Sequence, residues 1–192
     1  MLNGVRGSAI AGRNGGNKET GAGCANREER WMAISLRESR PLVTDPQNLD
    51  ASVEEVFQLM LGIECERDAG PAPAANDSVT AVVGFGGILS GACVFRLPAK
   101  TAIKIVGQMT GMELLEVDDT VKDGIGEICN MLAGAWKGKV PSMAANTGLS
   151  VPAVITGRDY NLHVQAPEFQ IHHGYRFGEE TFAVTIICDG MM

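Results

Sequence analysis

The sequence predicts an α/β domain in which a mostly antiparallel β-sheet is covered by at least three helices, two of them long. Two stretches, 50–62 and 119–139, carry apolar residues at intervals of three and four, the spacing that lines one face of an α-helix. Between them, two runs rich in β-branched residues flank Gly86-Gly87, which is a hairpin signal. Alternation of apolar and polar residues from 169 to 188 predicts further strands.

The composition limits the class of protein. The 192 residues suit one domain with a tail, and 45% hydrophobic residues are enough for a core. A net charge of -7 argues against a nucleic-acid or anionic-membrane partner, because phosphate neutralisation needs a basic patch. No apolar run reaches the length of a membrane span. The five cysteines include no CxxC pair, so we expect no disulfide framework, no metal site and a reduced, cytoplasmic protein.

The N-terminal part of the chain differs in composition from the rest. Residues 1–33 are rich in Gly, Asn and charged side chains and have no apolar periodicity, so we expect a disordered tail there. The pattern changes at 31–34, and Met32 is a candidate for the biological start, with the preceding residues an artefact of gene calling. A linker over 34–49 and a folded domain over 50–190 are expected to follow.

The first long helix is predicted to begin at Asp50. Ser52 and Glu55 form a candidate capping box, and Gly62 is placed to end the helix. The residues on its apolar face are Val53, Val56, Phe57, Met60 and Leu61.

The predicted hairpin has its strands at 78–85 and 88–97. Pro98 then opens another helix, as Pro at a first helical turn often does, and Gly111 ends it. The long helix at 119–139 follows after an acidic linker.

The C-terminal third of the chain is predicted to be strand-rich. The stretch 149–157, LSVPAVITG, predicts a strand that is irregular or at a sheet edge around Pro152, because Pro cannot donate a ladder hydrogen bond. His172 and His173 are neighbours on a predicted strand, so their side chains point to opposite faces and cannot bind one metal ion. The remaining strands are predicted at 162–165, 169–177 and 181–188.

One polar stripe dominates the helix at 119–139. Asp123, Glu127, Asn130 and Gly134 lie at i, i+4, i+7 and i+11, so they share a narrow arc of the helix. This arc faces outward, because the apolar residues of the same helix repeat on the opposite side. Those core-facing residues are Val121, Ile125, Ile128, Leu132 and Trp136.

The glycines of this helix need an explanation, since each costs about 1 kcal/mol relative to Ala in a helix interior. Gly124, Gly126 and Gly134 are the three concerned. Close approach of another backbone is one gain that offsets this cost. The alternative is a solvated helix of poor propensity whose glycines serve tight internal packing.

The pattern Asp123-x-x-x-Glu127-x-x-Asn130-x-x-x-Gly134, followed by LSVPAVITG, resembles the signature of the CheC/CheX/FliY family of chemotaxis phosphatases. The resemblance covers 50–189 and includes VEEVFQLMLGIE in the first helix. Members similar to CheC carry two helices with this motif. This sequence carries only one, so CheX is the nearer match. The resemblance implies a CheC-like fold and hydrolysis of the phosphoaspartate on a CheY-like response-regulator receiver domain.

The resemblance also implies a role for each residue of the motif. Asn130 holds the attacking water, which a neutral carboxamide can do because it both donates and accepts hydrogen bonds. Glu127 pairs with the active-site Lys of the receiver, and Asp123 tunes docking at the rim. Gly134 lets the partner's loops approach, and Pro152 fixes the strand beside the helix. No intrinsic cofactor is expected beyond the Mg²⁺ that the receiver carries, and a homodimer is expected.

Two other functions remain open at this stage. The same fold occurs in flagellar switch components such as the middle domain of FliM, so the chain could be a docking or dimerisation module without catalytic activity. An unrelated metal hydrolase that uses His172 is the weakest alternative.

Overall fold

The computed structural model describes residues 40–70, 77–158, 160 and 167–191. The tail predicted over 1–33 and the strand predicted at 162–165 lie outside these ranges. A helical turn at 40–43 comes first. The helices that follow are α1 (Pro46–Leu61), α2 (Ala99–Thr110), α3 (Asp119–Gly138) and α4 (Pro141–Asn146). The strands are β1 (Glu66–Asp68), β2 (Ser78–Gly87), β3 (Leu89–Pro98), β4 (Thr147–Leu149), β5 (Ala153–Gly157), β6 (Phe169–Phe177) and β7 (Glu180–Met191).

The strands form one sheet in which every described pairing is antiparallel. Its order is β1-β6-β7-β3-β2, and both β4 and β5 pair with β2. β4 pairs with residues 85–87 of β2 and β5 pairs with residues 78–82, so these two short strands share one edge. The predicted antiparallel sheet with at least three helices is confirmed, and α1 and α3 are the two long helices.

Helix α1 begins four residues before the predicted start. Asp45 is its N-cap and accepts a hydrogen bond from the backbone N–H of Gln47 at 2.9 Å, and Pro46 follows at the first helical position. The candidate capping box at Ser52 is wrong, because the Ser52 hydroxyl is buried inside the helix and donates to the Asn48 carbonyl at 2.6 Å. Gly62 ends the helix in the left-handed region, with φ of 67°, as predicted.

The predicted hairpin is confirmed as β2 and β3, with Ser78 opposite Pro98 and Phe85 opposite Gly91. Gly87, at its turn, has a φ of 125°, and a Cβ there would clash with the carbonyl oxygen of Asn146. A glycine is therefore required at this position. Pro98 is the N-cap of α2, so the helix itself begins at the next residue.

The stretch predicted as one strand over 149–157 is interrupted, as the proline indicated. β4 ends at Leu149, β5 begins at Ala153, and Pro152 lies between them. In this gap the backbone N–H of Ser150 donates to the Gly84 carbonyl at 2.9 Å. The backbone N–H of Gly84 donates in return to the Ser150 hydroxyl oxygen, also at 2.9 Å. The Ser150 side chain therefore replaces a backbone acceptor at the break in the edge.

The two adjacent histidines lie on opposite faces of β6, as predicted. Nδ1 of His172 is 2.8 Å from the Thr185 hydroxyl. His173 is only 5% exposed, and its Nδ1 is 2.7 Å from Oδ1 of Asp50 on α1. The second histidine therefore joins α1 to the sheet.

The core lies between the helices and one face of the sheet. Phe57 of α1 stacks on Phe182 of β7 with ring centroids 4.5 Å apart, and Trp136 of α3 lies 5.3 Å from the Phe85 ring of β2. All five residues predicted on the inward side of α3 are at most 1% exposed. Burial of each large apolar side chain contributes about 1.5–3 kcal/mol. These contacts fix the rotation of α3 and hence the direction of its polar stripe.

Candidate active site

The polar stripe of α3 faces away from the core, as the helical periodicity predicted. Asp123 and Glu127 are exposed, and Asn130 and Gly134 are half-buried. The start of the helix is fixed by the Asp118 side chain, which accepts a hydrogen bond from the backbone N–H of Val121 at 2.9 Å. The three polar side chains thus project from one rigid element that is anchored at both its N-cap and its inward face.

These polar side chains have no hydrogen-bond or ion-pair partner in the part of the chain that the structure describes. Within the described ranges, Asp123, Glu127 and Asn130 take part in no hydrogen bond or ion pair. A half-buried carboxamide normally finds a protein or water partner. The donor and the acceptor of Asn130 are therefore free to bind a water molecule or another protein.

The segment that joins β4 to β5 lies beside the stripe. A Cβ at Gly126 would be 3.3 Å from Cβ of Pro152, and a Cβ at Gly134 would be 4.0 Å from Cδ1 of Leu149. Asn130 lies one helical turn from each of these two glycines, so the 149–152 segment runs past it along the helix. The structure thus brings Pro152 to the flank of α3 that borders the Asn130 side of the stripe.

The other flank of α3 packs against α2. A Cβ at Gly124 would lie 2.8 Å from Cγ2 of Val106, which is closer than such atoms approach in real structures. Gly124 and Gly126 therefore serve internal packing on the two flanks of the helix. Gly134 is different, because a Cβ there would meet only Leu149 at an ordinary contact distance. Of the three glycines, only this one leaves room for a partner on the stripe itself.

The N-terminal turn of α3 carries an ion pair beside the stripe. Nζ of Lys122 lies 2.8 Å from Oδ1 of Asp119. The hydrogen bond to Lys122 lowers the pKa of the Asp119 carboxyl, and the same bond raises the pKa of the Lys122 amine. The negative charges of Asp118 and Asp123 raise the pKa of this amine further. Lys122 is therefore a cation at neutral pH and partly offsets the acidic start of the helix.

The described residues offer no metal site. They contain no group of three or more His, Cys, Asp or Glu side chains that could hold a metal ion. In the same ranges, no helix is both long and apolar enough to cross a membrane. A cavity of about 470 Å³ is lined by residues of α1, the α1–β1 loop, β1, β6 and the β6–β7 turn, and by none of α3. Because Asp123 and Glu127 are exposed, the stripe is an open protein surface, which suits a macromolecular partner better than a small ligand.

Two residues beside the stripe, Ser150 and Val151, were not singled out from the sequence. Ser150 holds the break in the edge through its two bonds to Gly84, and its hydroxyl also donates to the Val151 carbonyl at 2.9 Å. Val151 projects into solvent. The Ser-x-Pro pattern was the available signal, but only the pairing of β4 and β5 with the same strand shows what the serine does.

Solved structures of other proteins share the fold of this chain. The crystal structure of a CheX-CheY-BeF3-Mg+2 complex from Borrelia burgdorferi matches with a TM-score of 0.63 and 18% identity, over 75% of this chain and 97% of that one. A CheC-like superfamily protein from Shewanella sp. PV-4 matches with a TM-score of 0.63 and 19% identity, over 75% and 96%. The chain therefore has the CheC-like fold.

Sequence comparison shows which family within this fold the chain resembles. A family model described as chemotaxis phosphatase CheX matches residues 79–173, which include the stripe and Pro152. The CheY-P phosphatase CheX of Thermotoga maritima is 30% identical over 119 residues, which is 59% of this chain and 76% of that protein. The chain belongs to the CheX family of chemotaxis phosphatases, so the resemblance found in the sequence is confirmed.

Proposed function

We propose that this protein hydrolyses the phosphoaspartate of a CheY-like receiver domain, with Glu127 and Asn130 as its catalytic residues. One observation carries the proposal: a carboxylate and a carboxamide stand on adjacent turns of one outward helix face and have no partner in the described part of the chain. Polar groups left free on a rigid, outward-facing element are available to a second molecule. The family membership and the relative named as a CheY-P phosphatase support the same conclusion.

The chemistry divides naturally between the two proteins. Phosphoryl transfer is catalysed mainly by positioning and by stabilisation of charge on the equatorial oxygens. The receiver supplies the phosphorylated aspartate, a Lys and Mg²⁺, and what it lacks is a fixed water in line with the bond that breaks. Asn130 supplies it, because its carboxamide can accept a hydrogen bond from the water and, being neutral, does not repel the phosphoryl group.

Glu127 has a different role, since a carboxylate and a phosphoryl group repel each other. Its side chain lies one helical turn from Asn130, so both can enter one pocket of the partner. There Glu127 pairs with the receiver's Lys and orients the two proteins. Asp123 lies one turn further along the stripe and tunes docking at the rim, while Gly134 gives the partner's loops room.

Pro152 acts through shape rather than chemistry. It packs against the Gly126 position, 3.3 Å from where a Cβ would lie, and so defines the wall beside Asn130. No cofactor of this chain takes part. The Mg²⁺ is held by the receiver, in keeping with the metal-containing CheX-CheY complex of the Borrelia protein.

A homodimer is part of the proposal. β5 pairs with β2 on one side, and in the described residues its other side has no strand partner. An open edge of this kind can pair with a second chain. The stripe of α3 must stay accessible in such a dimer.

The decay of a phosphorylated receiver from the same cell tests the proposal. At fixed Mg²⁺, the full chain is expected to accelerate release of inorganic phosphate, and Glu127→Ala is expected to lose most of this acceleration. If the chain binds a receiver tightly but leaves every receiver's decay rate unchanged, the protein is a docking module and the stripe is its binding surface.

A further inference from the structure

We propose that the segment Ser150-Val151-Pro152 is a rigid docking ridge, in which Val151 contacts the partner receiver beside Asn130 and Ser150 holds that contact in place. The inference rests on the proposed function for the identity of its partner. It adds two residues, Val151 for binding and Ser150 for positioning.

Val151 is the exposed end of this ridge. It is 85% exposed, and the other most exposed large apolar side chains among the described residues are Leu115, at 86%, and Leu59, at 71%. A single exposed valine is by itself ordinary. Val151 differs from other exposed apolar residues in its rigid backbone and in its position beside the stripe.

The backbone of the ridge is held on both sides of Val151. On one side, Ser150 exchanges two hydrogen bonds of 2.9 Å with Gly84 of β2. Its hydroxyl donates at the same distance to the carbonyl of Val151 itself. On the other side, Pro152 has a fixed φ and restricts the residue before it to extended backbone. An apolar side chain on such a backbone loses little freedom when a partner covers it.

The position of the ridge also points to the receiver as the partner. Leu149 contacts the Gly134 position and Pro152 contacts the Gly126 position, one helical turn on either side of Asn130, and Val151 lies in the chain between these two contacts. A receiver whose phosphoaspartate reaches Asn130 therefore lies next to this segment. Leu115 lies instead in the loop between α2 and α3, outside the segment that borders the stripe.

Val151 and Ser150 contribute to binding of the receiver and not to the hydrolysis step. Val151 touches neither water nor phosphoryl group, so its loss weakens binding and leaves the rate within the complex intact. Burial of a valine side chain is worth enough to change a dissociation constant about tenfold. Ser150 acts only by holding Val151 and Pro152 in place. Its loss is therefore expected to raise the dissociation constant as well, but by a smaller factor than the loss of Val151.

The test uses the full chain and the receiver loaded with beryllofluoride and Mg²⁺, with binding measured by calorimetry. Val151→Ser is expected to raise the dissociation constant about tenfold and to leave the maximal decay rate of the phosphorylated receiver within about twofold. Leu115→Ser is the matched control and is expected to bind like the unaltered chain. Ser150→Ala is expected to raise the dissociation constant about threefold, and Ser150→Thr, which keeps the hydroxyl, is expected to restore it.

The outcomes separate this inference from the proposed function. If the unaltered chain accelerates decay but Val151→Ser binds as tightly, or if Leu115→Ser weakens binding equally, the ridge is not a docking element and the phosphatase proposal stands. A reduced maximal rate with unchanged affinity in Val151→Ser overturns the ridge as well. If Val151→Ser weakens binding while no receiver is dephosphorylated faster, the ridge stands and the phosphatase proposal fails.

Discussion

Two polar regions of the molecule differ in one respect, which is whether their hydrogen bonds are completed inside the chain. Asp50 on α1 accepts a hydrogen bond from the Tyr175 hydroxyl at 2.8 Å, and the same oxygen lies 2.7 Å from Nδ1 of His173. Its other oxygen is 3.5 Å from Nη1 of Arg67. On α3, by contrast, the described structure gives the stripe residues no partner. The first region stabilises the fold, and the second is available to another protein.

Burial reinforces this contrast. His173 and Tyr175 are 5% and 3% exposed, so Asp50 and their own contact of 3.3 Å supply the polar partners that water supplies at an exposed site. Burial first, and then the hydrogen bond to Asp50, raise the pKa of Tyr175, which therefore remains a donor at neutral pH. The side chains of the stripe are exposed or half-buried and make no hydrogen bond in the described structure, so they can be changed at little cost to the fold.

The largest effect on affinity is expected from charge reversal in the stripe. Glu127→Lys places a cation against the receiver's Lys, and like charges brought together at an interface cost several kcal/mol, so affinity should fall by about 100-fold or more. Calorimetry with the beryllofluoride-loaded receiver measures it. Glu54→Lys, an exposed change on α1, is the control with the same net charge. Equal weakening by both variants would show that only overall charge matters.

The next largest effect is a loss of stability, and it is expected in the region around Asp50, whose hydrogen bonds are completed inside the chain. Asp50→Ala leaves the buried His173 and Tyr175 without their acceptor, so the free energy of unfolding should fall by about 3 kcal/mol. Denaturant unfolding measures this, and Glu54→Ala on the same helix should stay within about 0.5 kcal/mol of the unaltered protein. The decay rate per folded molecule should not change. A loss of activity without a loss of stability would contradict the division between the two regions.

A smaller effect is expected where α3 meets the ridge. In Gly126→Ala the added Cβ lies 3.3 Å from Cβ of Pro152, which must shift by a few tenths of an ångström. We expect a decay rate several-fold lower with little net change in stability, because alanine also favours the helix. Gly138→Ala meets no atom within 4 Å and should leave activity unchanged.

A second internally bonded carboxylate gives a pH-dependent prediction. Burial raises the pKa of Glu180, but the hydrogen bonds from Thr101 at 2.7 Å and Lys104 at 3.1 Å outweigh it, so the net shift is downward. A lowered folded-state pKa adds stability above the unfolded value near 4.5, and this is lost as the pH falls through the folded value. The unfolding free energy should therefore decline less below pH 4.5 in Glu180→Gln than in the unaltered protein. Parallel pH profiles would contradict the prediction.

The smallest effect is expected from the rim of the stripe. Asp123→Ala removes one exposed charge, so affinity for the receiver should change only about two- to threefold, and the difference should shrink at high salt. Binding at two ionic strengths measures it. A salt-independent loss as large as that of Glu127→Lys would place Asp123 within the pocket instead of at its rim.

The sequence predicted α3 and its stripe well because twenty residues of regular periodicity leave little freedom in the rotation of a helix. The predicted start of α1 was wrong. Ser52 and Glu55 have the spacing of a capping box, but the helix is capped earlier, by Asp45 with Pro46 at the first helical position. Two candidate N-caps with equally good local sequence cannot be told apart without knowing which of them becomes buried. Ser52 is buried, and that is a tertiary property.

Other features depend on contacts between distant parts of the chain. Asp50 and His173 are 123 residues apart, and no local pattern joins them. Whether a helical glycine packs internally or leaves space for a partner likewise depends on its neighbours, which is why Gly126 and Gly134 look alike in sequence and differ in the fold. The interrupted edge was predictable from Pro152, but the role of Ser150 required the pairing with Gly84.

The most direct test of this account is the maximal decay rate of the phosphorylated receiver at saturating Asn130→Ala protein. Loss of one preorganised group that positions the attacking water should reduce the acceleration by about 10² to 10³. Affinity for the beryllofluoride-loaded receiver and the free energy of unfolding should remain close to those of the unaltered chain. If Asn130→Ala retains the full maximal rate, the carboxamide does not position the water, and the free stripe of α3 serves binding alone.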